Sequence, residues 1–391
     1  MNYFDNIDYD NCITNITSSI QKHFNLKPNY KTNAIIDNLL LEKDYDNVII
    51  FVFDGMGSAI LDKNTTPNNF LRTHRIADIK ATYPPTTANC TTSFVTGLNP
   101  ISTGWLGWST YFKDLNMCID NFPNCDSLTK EKIAVDNLAY LKMPITPLGE
   151  IIEKESGGEV KFYSIYPFGK NAVKSLKDLE HRVCKICQQE GKKYIYVYWE
   201  QPDACMHNEG TCTTNVKKHL NAISKTLNHI ERKTKNTIGI VSADHGQIDV
   251  VPVAFYTYYD VLDCLYAPFS CDSRTPFFFV KEDKKEEFVK LFNYYFKDMY
   301  VLYSKKEILE KNIFGFGKKY KDLENILGDY IGIAKDKYYF LLSPNAHLFK
   351  GHHAGITPDE INIPLIIIKN WRKKFLLFLF KNGILHINSV K

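Results

Sequence analysis

The 391-residue sequence lacks the features that mark several specialised classes of protein. Its 48 basic and 44 acidic side chains give a net charge of only +4, without the concentrated basic stripe of a nucleic-acid-binding protein. Its apolar runs are far too short to cross a bilayer as helices, and internal repeats and low-complexity tracts are missing. These absences disfavour a nucleic-acid polymer as partner and a membrane-spanning architecture.

Signals of secretion are also missing. Met1–Asp5 contains no basic residue and leads into no apolar run, so a secretory signal is not expected. Ten cysteines are too few for a disulfide-dense scaffold, and we expect free thiols and a cytoplasmic location. Cys184 and Cys187 form a lone Cys-x-x-Cys pair. Because a second pair is lacking, the buried side of an amphipathic helix is favoured over a redox or structural-metal role.

What the sequence contains is a series of apolar segments typical of buried strands. A hydrophobic content of 44% and a charged content of 24% are those of an ordinary globular protein. A helical pattern over 215–233 separates two of the segments. This alternation predicts an α/β fold with a mostly parallel central sheet covered by helices on both faces. The predicted strands are 47–53, 194–199, 237–242 and 363–368.

The chain divides into four predicted parts by composition and pattern. Residues 1–45 form a helical lead-in, 46–273 the core, 274–345 an inserted α+β cap, and 346–391 the completion of the core with a C-terminal strand. Within the last part, the apolar run 375–380 is flanked by basic residues. We interpret it as a final strand or helix packed on the core, with a peripheral membrane anchor as the alternative.

Three aspartates and three histidines stand just past predicted strands or in glycine-containing loops. Carboxylate and imidazole ligands together suit two adjacent zinc-like ions, with manganese as the alternative at a more carboxylate-rich site. Each of these residues, taken alone, could have an ordinary structural role, such as that of an aspartate in a turn or a member of a surface ion pair. The candidates are Asp54, Asp203, His207, Asp244, His245 and His353.

The spacing of these residues carries structural expectations. Asp203 and His207 lie four residues apart, which places both on one face of a helical turn. Asp244 and His245 are adjacent, so joint binding requires a bent backbone, which Gly246 permits. Of the neighbouring pair 352–353, only one histidine is expected to bind metal.

The segment 83–97 supplies candidate nucleophiles. Thr and Ser clusters commonly cap helices, which is the ordinary interpretation of this segment. A hydroxyl at a helix N-terminus also lies where free amides favour negative charge, and a metal-bound hydroxyl can attack phosphorus. The candidates are Thr86, Thr87, Thr91, Thr92, Ser93 and the thiol of Cys90.

In their order, these motifs resemble those of the alkaline phosphatase superfamily, and within it the type I phosphodiesterase/nucleotide pyrophosphatase family. The matching motifs extend from Phe53-Asp54-Gly55 to Gly351-His352-His353-Ala354-Gly355. The resemblance implies an alkaline phosphatase-like fold with two metal ions. It assigns one ion to Asp203, His207 and His353, and the other to Asp54, Asp244 and His245.

The resemblance also implies a covalent mechanism. Alignment on residues 94–98 places the catalytic threonine at Thr87, with Thr86 as the alternative. In the family this threonine contacts the second ion and forms a phospho-enzyme ester that water then cleaves. The implied activity is hydrolysis of small-molecule phosphate diesters or nucleotide-like pyrophosphates.

The sequence departs from the family at two points that bear on the substrate. Thr87 is followed by Ala88-Asn89-Cys90, where family members commonly have Phe-Pro-Asn. The family's phosphoryl-binding asparagine is also missing from 104–109, so Asn89 or backbone amides are candidates for that contact. Nearby aromatic residues could stack on a base or fill the core. They are Trp105, Trp108, Tyr111 and Phe112.

These departures leave other functions open. A phosphomonoesterase, a phosphonate hydrolase or a phosphomutase could use the same metal ions. A protein of a different class, an inactive phosphatase-like binding protein, is a further alternative, although none of the metal positions is visibly lost.

Overall fold

The computed structural model describes residues 3–133 and 136–369, so the predicted element at 375–380 lies outside the described residues. Within the described part of the chain, no helix combines the length and apolar character needed to cross a membrane. The strands are β1 (Asn47–Phe53), β2 (Arg75–Lys80), β3 (Ser109–Phe112), β4 (Met117–Asp120), β5 (Cys125–Asp126), β6 (Val160–Ile165), β7 (Lys192–Trp199), β8 (Thr237–Ser242), β9 (Ile248–Asp249), β10 (Val251–Val253), β11 (Leu265–Asp272), β12 (Thr275–Val280), β13 (Tyr300–Ser304), β14 (Tyr330–Ala334), β15 (Tyr338–Phe340), β16 (Gly351–His352) and β17 (Asn362–Ile368).

Helices connect most of these strands. Short 3-10 helices occur at Tyr3–Asn6, Phe255–Thr257 and Glu282–Lys284. The α-helices are α1 (Ile13–His23), α2 (Ala34–Leu41), α3 (Ser58–Asn64), α4 (Phe70–Thr73), α5 (Thr87–Thr96), α6 (Pro100–Thr103), α7 (Leu138–Lys142), α8 (Leu148–Glu155), α9 (Leu176–Cys187), α10 (Asp203–Glu209), α11 (Thr214–Lys233), α12 (Tyr259–Asp263), α13 (Lys285–Phe296), α14 (Lys305–Glu310), α15 (Leu323–Ile326) and α16 (Pro358–Ile361).

The central sheet has six strands in the order β2-β17-β8-β1-β7-β6. β1 lies within it and pairs in parallel with both β7 and β8. All seven of its residues are buried, as its continuous apolar sequence predicts for a strand covered on both faces. β17 runs antiparallel to β8 and β2. The predicted α/β fold with a largely parallel central sheet is confirmed.

Amphipathic helices cover this sheet and share one apolar core with it. In α11 the apolar residues at helical spacing, from Val216 to Ile230, are buried against the sheet, and Thr213 caps the helix by accepting a hydrogen bond from the amide of Val216. In α9 Cys184 is buried and Cys187 is partly buried, and both are free thiols. The expected place of this Cys-x-x-Cys pair on an amphipathic helix is therefore confirmed.

A second, seven-stranded sheet has the order β13-β14-β12-β11-β3-β4-β5, with its neighbouring strands antiparallel. It combines β3, β4 and β5 with strands from the later segment that begins at Leu265. The two groups meet where Cys271 of β11 pairs with Ser109 of β3. The boundaries of the predicted cap, 274 and 345, stay a prediction. Three strands within those limits, β12, β13 and β14, belong to this sheet, whereas β15 pairs in parallel with β10.

Candidate metal centre

Three parallel strands deliver most of the predicted ligands to one edge of the central sheet. Asp54 directly follows β1, and Asp203 and His207 lie on α10 just after β7. Asp244 and His245 follow β8. Because parallel strands end at the same edge, these side chains converge, as they do in open α/β sheets generally.

Glycines allow the loops at this edge to approach one another closely. Gly55 has a left-handed backbone with φ of +69°, and an added Cβ would lie 2.9 Å from Cβ of Asp203. At Gly246 an added Cβ would lie only 2.0 Å from the carbonyl oxygen of Asp359. A side chain at Gly55 would therefore push the loop of Asp54 away from α10, and one at Gly246 would push the loop of His245 away from α16.

The first predicted group contains Asp203, His207 and His353. Nε2 of His207 lies 3.1 Å from Oδ2 of Asp203, and Nε2 of His353 lies 3.9 Å from Oδ1 of the same carboxylate. The helical turn of α10 produces the first of these contacts, as the four-residue spacing predicts. The structure therefore brings together all three residues that the resemblance assigns to one ion.

The second group contains Asp54, Asp244 and His245, whose ligand atoms all lie within 4.8 Å of one another. Nε2 of His245 lies 3.4 Å from Oδ1 of Asp54 and 3.5 Å from Oδ2 of Asp244. All three residues are buried. This group and the first are adjacent, since the rings of His245 and His353 stack with centroids 3.8 Å apart.

Backbone carbonyls orient the three predicted histidine ligands. Nδ1 of His207 lies 2.9 Å from the carbonyl oxygen of Gly351. Nδ1 of His245 lies 3.0 Å from the carbonyl oxygen of Gly246, and Nδ1 of His353 lies 3.2 Å from that of Pro85. A hydrogen bond at Nδ1 leaves Nε2 of each ring to face the other predicted ligands. Such outer hydrogen bonds typically fix the tautomer and orientation of metal-binding histidines.

Three buried carboxylate oxygens at the site have no hydrogen-bond partner among the described residues. They are Oδ1 of Asp54, Oδ1 of Asp203 and Oδ2 of Asp244. Burying a carboxylate oxygen without a partner is costly unless a cation compensates. These oxygens and Nε2 of the three histidines therefore form a donor set that fits divalent metal ions.

The electrostatics of the protein alone show the same excess of negative charge. Burial, together with Asp244 and Asp203, raises the pKa of Asp54 well above its usual value. Burial and Asp203 raise the pKa of Asp244 to about 7. Burial opposes ionisation of His207, but the carboxylate of Asp203 outweighs it and raises the pKa of His207 to about 9. A bound cation would stabilise the ionised carboxylates.

The two candidate nucleophiles differ in where their hydroxyls point. Thr87 is the first residue of α5 and is partly exposed; its Oγ1 lies 3.2 Å from Nε2 of His245 and 3.5 Å from Oδ2 of Asp54. Thr86 is fully buried and donates to Oδ2 of Asp272 at 3.0 Å. The structure therefore brings Thr87, and not Thr86, to the second group of ligands.

The side chain of Asn89, a candidate for the contact with a phosphoryl oxygen, is bonded to the backbone instead. Its side chain is fully buried, and Nδ2 donates to the carbonyl oxygen of Pro84 at 2.7 Å. This bond closes the loop before α5 and commits the amide group. Asn89 therefore has no part in the mechanism proposed below. Among the nearby aromatic residues, Trp105, Tyr111 and Phe112 are buried in the core, and Trp108 is 40% exposed.

Comparison with known proteins identifies the family of this chain. Residues 48–355 match the type I phosphodiesterase/nucleotide pyrophosphatase family. The chain belongs to this family. Comparison with curated protein sequences gives no significant match. As a member of the family, the protein is a phosphodiesterase/nucleotide pyrophosphatase-type hydrolase of the alkaline phosphatase superfamily.

Solved structures share the fold of this family member at low sequence identity. Murine ectonucleotide pyrophosphatase/phosphodiesterase 5 is 16% identical with a TM-score of 0.63, over 81% of this chain and 87% of that one. The human protein of the same name is 17% identical with a TM-score of 0.62, over 87% of this chain and 96% of that one. An inactive murine variant in complex with AMP is also similar, at 16% identity, a TM-score of 0.61 and the same coverage as the first murine structure.

Several residues that support the site escaped the sequence analysis. The hydroxyl of Tyr198, which lies on β7, donates to Oδ2 of Asp54. A buried ion pair joins Arg274 to Glu360 with two hydrogen bonds of 2.7 and 2.8 Å. Glu360 also accepts from the amide of Gly355 at 2.7 Å, which fixes the loop that carries His353. Arg274 and Glu360 lie far apart in sequence and carry no motif, so no sequence signal identified this pair.

Proposed function

We propose that this family member hydrolyses small-molecule phosphate diesters or nucleotide pyrophosphates at a two-metal site, with Thr87 as the nucleophile. The observation that carries the proposal is the convergence of three carboxylate oxygens, unpartnered among the residues that the structure describes, and three imidazole nitrogens beside one partly exposed hydroxyl.

The two ions would be held by the two adjacent groups of ligands. Asp203, His207 and His353 would bind the first ion. Asp54, Asp244 and His245 would bind the second, together with Oγ1 of Thr87. Zinc suits the mixture of imidazole and carboxylate, with manganese as the alternative in the second group, where carboxylates predominate.

The proposed reaction takes place in two displacements. Divalent ions in these positions would lower the pKa of the threonine hydroxyl and neutralise the phosphoryl oxygens. Oγ1 of Thr87 would lose its proton to solvent and bond to phosphorus while the bond from phosphorus to the leaving oxygen breaks. The leaving group, an alcohol from a diester or a phosphate from a pyrophosphate, would depart with a proton from solvent. Water would then attack the same phosphorus, break its bond to Oγ1, release the phosphate monoester and return a proton to the Thr87 hydroxyl. At the start of α5, Thr87 also lies among backbone amides that favour negative charge on the phosphoryl group.

Nucleotide-containing diesters are the substrate class that we propose to test first. The AMP complex of the murine neighbour supports this choice, although AMP binding is established for that protein and not for this chain. A phosphomonoester, a phosphonate or a mutase reaction would be revealed by a different preference in the same assay.

The testing experiment measures hydrolysis of bis(p-nitrophenyl) phosphate against p-nitrophenyl phosphate, with zinc or manganese added. The wild type should prefer the diester. Thr87→Ala should lower diester hydrolysis by about 1,000-fold or more, because it removes the nucleophile. Thr91→Ala is the matched control, since Thr91 is partly exposed on the same helix and its hydroxyl donates to the carbonyl oxygen of Thr87.

Other results of this assay would redirect the proposal. Preference for the monoester would indicate a phosphatase. Retained activity in Thr87→Ala with loss in Thr86→Ala would move the nucleophile by one residue. Metal binding without turnover on either ester would indicate a binding protein.

A cytoplasmic location is also proposed, on the basis of the cysteines. All ten are free thiols, and Cys212 is exposed. Exposed free thiols persist most readily in a reducing compartment. The names of the structural neighbours describe ectoenzymes, and fractionation of cells that produce the tagged protein would decide between the two compartments.

A further inference from the structure

His352 lies beside the predicted ligand His353, and one of its ring nitrogens has no hydrogen-bond partner in the part of the chain that the structure describes. It lies on β16, where it pairs with Ile248 of β9, and it is only 6% exposed. Its Nδ1 is buried and has no hydrogen-bond partner among the described residues. An orphaned polar atom of this kind costs about 1–3 kcal/mol, so its retention requires a reason.

The other ring nitrogen of His352 is held in place. Nε2 lies 2.8 Å from Oγ of Ser273 and 3.4 Å from Oδ1 of Asp272. The ring of Phe349 stacks on the imidazole at 4.5 Å, and Tyr339 meets it edge-on at 5.6 Å. A histidine that is oriented through one nitrogen by a carboxylate or hydroxyl, with the other nitrogen free, has the arrangement typical of a metal ligand.

The His352 ring has two other imidazoles for neighbours. His207, His352 and His353 each offer a ring nitrogen, and these nitrogens lie within 4.8 Å of one another. The centroid of the His352 ring lies 5.3 Å from that of His207 and 5.0 Å from that of His353. The Nδ1 atoms of His207 and His353 are already directed at backbone carbonyls. A separate third ion would therefore have only His352 left to bind it, whereas Nε2 of His207 and Nε2 of His353 both face the carboxylate of Asp203.

We infer that His352 binds that first metal ion through Nδ1, as a fourth protein ligand beside Asp203, His207 and His353. The inference rests on the proposed two-metal centre. It makes the two sites chemically unequal, with three imidazoles and one carboxylate at the first, and one imidazole, two carboxylates and a hydroxyl at the second. Nitrogen-rich sites select zinc over manganese, so the first site should fill with zinc and the second should accept either metal.

X-ray absorption at the zinc edge tests this inference on the full-length protein. Loaded with one equivalent of zinc and then with manganese, the wild type should show zinc bound by three imidazoles. His352→Ala should show two and should weaken binding of the first zinc by more than about 10-fold in competition with a chelator. The control His347→Ala removes an exposed histidine of the same loop and should match the wild type in both measurements.

The contrary results are distinct. Zinc bound by two imidazoles or fewer in the wild type would overturn the inference. Because this measurement uses the wild type, it stays informative even if the His352→Ala variant fails to fold. A weaker affinity in His352→Ala with an unchanged number of imidazoles would also overturn it. If the wild type cleaves diesters with two bound ions in either case, the proposed function stands; if it binds no zinc and cleaves no phosphoester, the function itself fails.

Discussion

At the scale of single residues, the candidate centre depends on the predicted metal ligands and also on the side chains that orient them through hydrogen bonds. Tyr198 and Tyr196 lie on the same strand, β7, and both are buried. The hydroxyl of Tyr198 donates to Asp54, whereas that of Tyr196 has no partner among the described residues. The two tyrosines therefore offer the same substitution with opposite consequences.

We predict that Tyr198→Phe loosens the second metal ion. The change removes a hydrogen bond that orients Asp54, and losses of this kind typically lower metal affinity by about 10- to 100-fold. Chelator competition measures the affinity. Tyr196→Phe is the control and should leave the affinity unchanged, with thermal stability equal to or above that of the wild type because a buried unpartnered hydroxyl is removed. Equal metal affinity in both variants would contradict the assigned role of Tyr198.

The sequence pointed to all six side chains that the structure brings together at the candidate centre, because each follows a recognisable strand or lies in a glycine-containing loop. It left Thr86 and Thr87 as alternatives, since two adjacent hydroxyls carry no information about direction. The start of α5 separates them by turning Thr86 toward Asp272. For Asn89 the sequence suggested a contact with substrate from its position near the nucleophile, and it gave no indication of the hydrogen bond to the carbonyl oxygen of Pro84.

At the scale of elements, the loop between β16 and α16 is held by the ion pair of Arg274 and Glu360. Both side chains are fully buried. The guanidinium of Arg274 also donates to the carbonyl oxygens of Asp336 and Tyr338, at 2.8 and 2.7 Å. This pair links the second sheet to the loop that carries His353.

We predict that Glu360→Gln destabilises the protein by about 3–5 kcal/mol, because it leaves a buried guanidinium without its counter-charge. Denaturant unfolding measures the change. Asp359→Asn is the matched control at the neighbouring position, where an exposed carboxylate pairs with Lys63 at 2.7 Å. An exposed pair contributes about 0–1 kcal/mol, so the control should change stability little. Similar effects in the two variants would contradict the anchoring role of Glu360.

Helices and strands with strong periodicity were predictable from the sequence, as α11 and β1 show. The pairing of strands between distant segments was less predictable from the sequence. The contact between Cys271 and Ser109 joins segments that are remote along the chain, and no local pattern records it. The inserted cap at 274–345 stays a prediction, and no sequence signal indicated that strands on both sides of residue 274 share one sheet.

At the scale of the whole molecule, buried charge at the sheet edge couples metal binding to stability. Asp54, Asp203 and Asp244 come from three connections that follow β1, β7 and β8. Without cations their mutual repulsion opposes the closure of that edge. Metal ions that bind only the folded protein add stability by mass action.

We predict that chelation lowers the unfolding temperature and that zinc restores it. At a free zinc concentration 100 times the dissociation constant, one site adds about 2.7 kcal/mol. Differential scanning calorimetry of the chelated and reconstituted protein measures the shift. The same treatment of Asp244→Asn should give a smaller shift, because this change removes one charge from the second group. An unfolding temperature that does not respond to zinc would contradict the coupling.

The most direct test of the two-metal account is a zinc titration of the chelated protein, followed by hydrolysis of bis(p-nitrophenyl) phosphate. We predict no activity without metal, full activity at two equivalents of zinc, and a Thr87→Ala variant that binds both ions without turnover. Hydrolysis without metal, saturation at one equivalent, or an active Thr87→Ala variant would contradict the account.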